Sequence, residues 1–348
     1  MTMSLVIHAP NVHMGGGLVL LKAILDALDG SVRVDVLLDR RAKLSEKFPG
    51  RAFVHRVEPT PLARIGAEWR LRRMVARRDT VLCFGNLPPL LKQRGKVILF
   101  VQNRYLVERK SLEGFPVRSR WRIRLERLWF ALGKRNVDCC TVQTPSMRRS
   151  VMALVDKPCL TLPFLRDVNK YERVRPGAPV DEARYEFVYV ASGEPHKNHR
   201  HLIEAWILLS EEGIRPKLVL TLDERKFPDL CAWIEEKKTN HNMNITVRGN
   251  SGGVGLRELY SQARALIYPS DFESLGLPLI EARCAGLGVL ASERDYVRDV
   301  LDPDETFDPN SAISIARAAK RFLGIPEPPL PLVSAKEYLE KILEIGRA

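Results

Sequence analysis

The chain has 348 residues, 45% of them hydrophobic and 28% charged, with a formal net charge of +13. That length exceeds what one hydrophobic core usually serves, so two domains are expected. No apolar run reaches the ~18 to 20 residues needed to cross a bilayer, and the opening MTMSLVIHAPNVH lacks the basic and long apolar regions of a leader, which argues against both a membrane span and secretion. The six cysteines (Cys83, Cys139, Cys140, Cys159, Cys231, Cys284) form no C-x-x-C pair and have no histidine at ligand spacing. This argues against a disulfide scaffold or a zinc module and leaves reduced, mostly buried thiols in a cytoplasmic protein.

The charge is uneven. Residues 1–170 hold 32 Lys+Arg against 14 Asp+Glu, a balance of +18, and the remainder hold 23 against 28, a balance of −5. A basic first half suggests an anionic partner there.

In chain order, LVIHA (5–9) is a short apolar run with a β-branched centre, followed by Gly15, Gly16 and Gly17 and then the apolar-periodic LVLLKAILDAL. Strand, glycine turn and helix make the first unit of a doubly wound sheet. Further apolar runs follow at 32–38, 80–84, 96–101, 137–142 and 159–163, with helical segments between several of them, so a parallel sheet covered on both faces is expected.

Two of those helical segments are rich in arginine and aromatics: LARIGAEWRLRRMVARR (62–78) and RSRWRIRLERLWFALGKR (118–135). In the second, Trp121, Leu125, Leu128, Trp129 and Leu132 share one helical face with arginines on its flanks. Such a face suits a membrane surface rich in anionic lipid, or else it packs on the sheet with its arginines solvated. Nucleic acid is the other common use of such charge, but no recognisable nucleic-acid module accompanies it and none is expected as a partner.

From 166 to 186 the chain is polar, holds two prolines and keeps no apolar period, which marks a linker between a first domain at 1–165 and a second at 187–324. Runs at 187–191, 217–222, 244–247, 265–269 and 288–292 alternate with helices and predict a second parallel α/β domain. Residues 325–348 form a proline-rich segment and a final helix.

The stretch SDFESLGLPLIEARCAG (270–286) sets Glu273 and Glu281 eight positions apart around a Gly-Leu-Pro step. Pro278 suits the first turn of a helix and Gly286 its end, so Glu281 lies a turn inside and Glu273 in the loop before it. The amides near Leu275, Gly276 and Leu277 are then free at a helix N-terminus beyond a parallel strand, where phosphates bind. Acidic residues near a helix start also stabilise its dipole by roughly 0.3 to 1 kcal/mol with no ligand at all, so the carboxylates alone do not define a site.

The run PSDFESLGLPLIEARCAGLGVLAS, with LRELYSQARALIYPS before it and FDP (307–309) after it, resembles the E-x7-E region of family 4 retaining glycosyltransferases of GT-B architecture. The resemblance implies two Rossmann-like domains facing a cleft, with the second binding a nucleotide sugar. By motif position it puts Glu281 on the nucleotide ribose, Glu273 beside the transferred sugar, and the amides of Leu275, Gly276 and Leu277 on phosphate oxygens. FVYVASGEPHKNHRHLIEAW (187–206) resembles the family's strand, loop, Lys-Asn and helix segment, and Lys197 matches the lysine that binds the diphosphate.

Arg248, Gly249 and Asn250 match the strand-loop around base and ribose, where a flexible loop without a ligand is an equal reading. Gly15, Gly16 and Gly17 match the glycine loop under the donor phosphates, although a tight turn explains three glycines as well. His13 is a candidate for the cleft or a plain exposed residue. The chain departs from the family in two places. Ala191, Ser192 and Gly193 stand where many members carry an arginine, which leaves His196 or another basic residue to share the phosphate charge. Gln102 and Asn103 stand on the acceptor side, where many carry a histidine.

The expected activity is transfer of a sugar, with retention and without a metal or other cofactor, from a nucleoside-diphosphate donor to a glycan or lipid-linked acceptor. Lipopolysaccharide, O-antigen or another surface polysaccharide is the expected product, and attachment to the cytoplasmic membrane face is the expected placement. A glycoside phosphorylase or sugar-nucleotide epimerase of the same architecture, and a non-catalytic binding protein, stay open.

Overall fold

The computed structural model describes residues 4–44, 52–164, 183–249 and 252–326. Most of the expected linker and nearly all of the expected proline-rich segment and last helix lie outside the described residues.

Two parallel sheets account for the described chain. The first has seven strands in the order β3-β2-β1-β4-β5-β6-β7, with β1 at Ser4–Ala9, β2 at Arg33–Asp39, β3 at Ala52–Val57, β4 at Thr80–Cys83, β5 at Lys96–Phe100, β6 at Cys139–Val142 and β7 at Cys159–Thr161. The second has six in the order β10-β9-β8-β11-β12-β13, with β8 at Tyr185–Tyr189, β9 at Leu218–Leu220, β10 at Ile245–Val247, β11 at Ala263–Tyr268, β12 at Gly288–Ser292 and β13 at Glu305–Phe307. β8 thus begins two residues before the expected domain start. The sequence reading overlooked β3 and β13, which lie at one edge of their sheets, while the opposite edge strands β7 and β10 were read. AFVHRV (52–57) is interrupted by His55 and Arg56, and ETF (305–307) is only three residues long, so neither carries a clear apolar run.

Both sheets reverse direction at their first strand, since β1 lies between β2 and β4, and β8 lies between β9 and β11. Ligands of such sheets bind beyond the carboxyl ends of the strands at this switch point. The first sheet is packed on both faces. Val6, Leu71, Val81, Leu99 and Phe130 belong to one core, and Ile7, Leu21, Leu25, Val36 and Phe100 to the other. A third core, around Phe187, Trp206, Tyr189 and Tyr268, holds the second domain. All six cysteines are free thiols, four of them buried.

The connecting helices are α1 (Gly15–Asp26), α2 (Pro61–Met74), α3 (Arg104–Val107), α4 (Val117–Gly133) and α5 (Pro145–Met152) in the first domain, and α6 (His199–Glu211), α7 (Pro228–Asn240), α8 (Gly252–Ser261), α9 (Leu277–Cys284), α10 (Asp295–Arg298) and α11 (Ala312–Phe322) in the second. Thr60 and Thr144 start α2 and α5 by accepting from the amides of Ala63 and Met147 (3.2 and 3.3 Å), each followed by a proline whose missing N–H costs nothing there. The glycines are not a loop ahead of α1, as the sequence suggested. They are its first turn, and Gly15 has φ +67°.

α4 also differs from the reading in which its stripe packs on the sheet. Ile123, Phe130 and Gly133 are its buried residues, while Trp121, Leu125, Leu128 and Leu132 face outward. Trp129 leaves the stripe and donates its indole N–H to the Pro88 carbonyl at 2.9 Å. Among the described residues no helix is long and apolar enough to cross a membrane.

Candidate active site between the two domains

Loops after the strands of one sheet meet those of the other. Thr144, after β6, donates its hydroxyl to the Ser274 carbonyl (3.0 Å), and the Ser146 amide donates to Asp299 (2.9 Å). Lys110 pairs with Asp271, which also holds Arg294 at 2.9 Å. Tyr105, Phe115 and Phe272 pack with Leu112 and Ile123 into a small apolar cluster at the same junction.

Within the second domain, β8 and β11 are parallel neighbours. The loops that follow them therefore emerge side by side, and each delivers one charged residue to the junction. Lys197, at the end of a short 3-10 turn (Pro195–Lys197), extends its ammonium to Glu273 Oε1. The same oxygen accepts from the hydroxyls of Ser270 (2.6 Å) and Tyr268 (3.0 Å). Both charged side chains are about 15% exposed or less. Burial acts to raise the Glu273 carboxyl, but the Lys197 charge and the hydrogen bonds outweigh it and hold the carboxyl below the ordinary glutamate value. Glu273 is therefore an ionised carboxylate, locked in place and backed by a cation.

Gly276 caps α9 in the left-handed region, with φ +75°, and a Cβ there would meet Leu279 Cδ1 at 2.9 Å. Among the described residues no recorded partner accepts from the backbone N–H groups of Leu275, Gly276 or Leu277. α9 has no side-chain cap and no acidic residue in its first turn, and the same holds for α1 and α6. The start of α1 lies opposite that of α9, since a Cβ on Gly16 would sit 3.4 Å from Leu277 Cδ1. Two uncapped helix N-termini thus face each other across a cleft, each presenting the positive end of a helix dipole, with Lys197 near one of them and paired to Glu273.

Glu281 sits one turn inside α9 and receives the Tyr260 hydroxyl at 3.3 Å. Burial raises its carboxyl, and that hydrogen bond only partly offsets the shift.

The remaining expected residues divide. Gln102 faces the start of α1, with Oε1 3.5 Å from where a Gly17 Cβ would be, and its amide group holds the Phe84 carbonyl at 3.2 Å. Asn103 is occupied, because its side chain caps α3 by accepting from the Tyr105 amide at 3.1 Å. His13 lies beside the buried Asp39 (3.8 Å) and Arg41 (3.3 Å) at the end of β2. The Arg248 amide is committed to the Leu220 carbonyl (2.8 Å), Gly249 is exposed, and Asn250 lies outside the described residues.

His196, the residue expected to share the phosphate charge, is packed between the domains. Its ring stacks on Phe115 (6.1 Å, 16°) and meets Tyr105 edge-on (5.5 Å), its Nδ1 is buried without a partner, and burial pushes its pKa down to about 4. It is a neutral strut between the domains.

The sequence reading also missed Arg104. Its guanidinium reaches the Glu273 carbonyl (3.3 Å) and Glu108 (2.6 Å) and lies over Phe272 at 4.8 Å. Arg104 stands next to the singled-out Gln102 and Asn103, but only the docking of the domains shows where it reaches. It lines an interdomain cavity of about 900 Å³ together with Lys110, Asp271, Phe272 and Arg294.

Residues 171–336 match the family described as Glycosyl transferases group 1. Over 131 residues the chain is 32% identical to O-antigen chain mannosyltransferase B of Escherichia coli, which covers 37% of this chain and 34% of that one. Over 146 residues it is 31% identical to the serotype-specific mannosyltransferase WbdA of Escherichia coli, covering 40% and 17%. The match thus spans about a third of the first relative and under a fifth of the second. Among solved structures it resembles sucrose-phosphate synthase from Thermosynechococcus elongatus (TM-score 0.64, 16% identity, 92% of this chain and 90% of that one). It also resembles the UDP-forming trehalose-phosphate synthase from Burkholderia vietnamiensis (0.64, 12%, 93% and 92%) and Anabaena HepE in complex with UDP and glucose (0.62, 13%, 92% and 90%). At such identities the likeness is one of fold, and that fold is the expected GT-B architecture.

Proposed function

We propose that the chain is a retaining, family 4 glycosyltransferase that moves a sugar from a nucleoside-diphosphate donor to a hydroxyl of a glycan or lipid-linked acceptor, in the assembly of O-antigen or another surface polysaccharide. The observation that carries this reading is the Lys197–Glu273 pair set beside the uncapped starts of α9 and α1. The family match and the names of the relatives support it, and those names point to mannose as the sugar.

In this reading the diphosphate lies between the Leu275–Leu277 amides, the first turn of α1 and Lys197. Glu281 takes the ribose hydroxyls, and Glu273 lies beside the sugar. The bond from the sugar's anomeric carbon to the phosphate oxygen breaks as the acceptor oxygen bonds to the same face of that carbon, and the acceptor proton passes to the departing phosphate. Positioning supplies part of the acceleration. Stabilisation of the leaving diphosphate by charges and dipoles already in place supplies the rest. That charge comes from the protein, so the reaction is proposed to need no metal and to persist in a chelator. The free thiols fit a cytoplasmic site of action, at the membrane face where a lipid-linked acceptor is reached.

A thermal-shift screen of nucleoside diphosphates and their sugars tests the reading, because a ligand that binds only the folded state raises its stability with occupancy. One base family should stand out, with free diphosphate released only when acceptor is present. No shift with any of them would remove the donor site. Release without acceptor, or return of the altered donor itself, would point to another reaction of the same architecture.

A further inference from the structure

We infer that the outward faces of α2 and α4 together form a docking surface for an anionic phospholipid bilayer. This rests on the membrane-face reading above and gives it a location and an orientation.

The two helices pack on the same side of the first sheet, since Ala67 and Leu71 of α2 share a core with Phe130 of α4. They are neighbours, because Arg64 of α2 acts on the charge of Glu126 of α4 and both helices line one small cavity through Arg64, Glu68 and Trp129. The sides turned away from the sheet are apolar. On α4, Val117, Trp121, Leu125, Leu128 and Leu132 are 56 to 64% exposed. At 3.6 residues per turn they fall within an arc of about 80°, opposite the buried Ile123 and Phe130. On α2, Leu62 (82%), Ile65 (47%) and Trp69 (54%) repeat the pattern opposite Ala67 and Leu71. Solvent-facing leucines and tryptophans at this density are the mark of an interaction surface, whereas scattered single ones are ordinary.

The charge around the stripe selects the occupant. Arg118 and Arg122 border the α4 stripe on one side and Arg124, stacked on Trp121 at 5.5 Å, on the other. Arg70, Arg72 and Arg73 border that of α2. The acidic residues of the two helices are Glu68 and Glu126, and both turn inward. An apolar centre with an arginine margin matches a bilayer, whose acyl region accepts the leucines and whose anionic headgroups meet the guanidiniums. A nucleic acid would instead require the arginines at the centre, against the phosphates. α4 leads directly from Phe115, which packs on His196 of the second domain, so a bilayer under α4 lies beside the interdomain junction.

The test is flotation of the full chain with vesicles of equal parts phosphatidylglycerol and phosphatidylethanolamine, and with vesicles of phosphatidylcholine alone. The expected result is binding to the anionic vesicles only, reduced about tenfold or more by the double change Leu125→Glu and Leu128→Glu and, separately, by Arg73→Glu with Arg118→Glu. All four side chains are exposed, so unfolding temperature and the nucleoside-diphosphate thermal shift should be unchanged in every variant. Those two readouts report on the fold and the donor site; an unmodified chain that floats with anionic vesicles but shows no nucleoside-diphosphate shift would count against the donor reading rather than this surface. Absence of vesicle binding by the unmodified chain would overturn the inference. So would equal binding by the leucine variant, tighter binding to DNA or RNA than to anionic vesicles, or a dimer in vesicle-free solution that the leucine variant abolishes.

Discussion

Lys197 and Glu273 stand 76 positions apart in the chain and meet as an ion pair in the cleft, because β8 and β11 are adjacent and parallel and each loop leaves its strand at the same end of the sheet. Two further hydroxyls, from Tyr268 and Ser270, fix the same carboxylate oxygen. The pair is thus held on one side by a charge and on the other by hydrogen bonds that survive loss of the lysine.

Lys197→Ala and Glu273→Ala are each expected to lower sugar transfer by about a hundredfold or more, the usual consequence of removing a preorganised charge from a site of developing charge. Glu273→Gln keeps most of the hydrogen bonds and should fold normally while still losing activity. Steady-state transfer assays paired with thermal unfolding separate the two effects, and near-normal turnover in Lys197→Ala would remove it from the site.

Gly276→Ala should damage fold and donor binding together. The residue sits at φ +75°, and the new methyl would press on Leu279, so a loss of about 1 to 3 kcal/mol of stability is expected. Because the same distortion moves the amides of Leu275 and Leu277, nucleoside-diphosphate affinity should fall as well. Calorimetric titration alongside denaturant unfolding checks both.

Glu281→Gln should act mainly on the donor. Its carboxyl touches Tyr260 and no part of the Lys197–Glu273 pair, so KM for the donor is expected to rise about tenfold, the scale of one lost hydrogen bond to a charged group, with kcat less affected. An equal fall in kcat would place Glu281 among the groups that act in the transition state.

The buried histidines make stability depend on pH. Burial lowers His196 to about 4 from an ordinary 6.5. Between those values the unfolded chain binds the proton and the folded chain does not, so the contribution of the neutral ring is complete above 6.5 and is lost as pH falls towards 4. His8, near 4, and His199, near 3, act in the same sense. Glu68, raised to about 7 by burial, acts in the opposite sense: its contribution is complete below its unfolded value of 4.5 and is lost as pH rises through 7. His196→Phe keeps an aromatic ring between Tyr105 and Phe115 and removes one titration. Its unfolding temperature should therefore drop less than that of the unmodified chain between neutral pH and about pH 5; an equal drop would show that His196 is not buried as described.

Much of the fold was legible because periodicity is local. Each central strand carries its own apolar run, and Pro278, Gly276 and Gly286 mark the start and end of α9 in the sequence itself. The placement of Glu273 in a loop and Glu281 a turn inside α9 was legible for the same reason, since spacing along one strand, loop and helix fixes relative position, whereas Lys197 belongs to another such unit and reaches Glu273 only through the adjacency of β8 and β11. β3 and β13 were not legible, because His55 and Arg56 break the apolar run of the first and the second is only three residues long.

Tertiary structure alone decided the direction in which side chains point once the two domains meet. His196 and Lys197 are neighbours in sequence and both basic, yet one is packed neutral against Phe115 and the other is charged against Glu273. A ring from the other domain covers His196, while the parallel pairing of β8 and β11 brings Lys197 its carboxylate. The α4 stripe follows the same logic: Trp121, Leu125, Leu128 and Leu132 read equally well as core or surface, and only the placement of Ile123 and Phe130 against the sheet turns them outward. Composition and spacing determined the elements and the chemistry available to them. The packing of one element on another, which no local stretch encodes, decided which groups face the cleft, the solvent or each other.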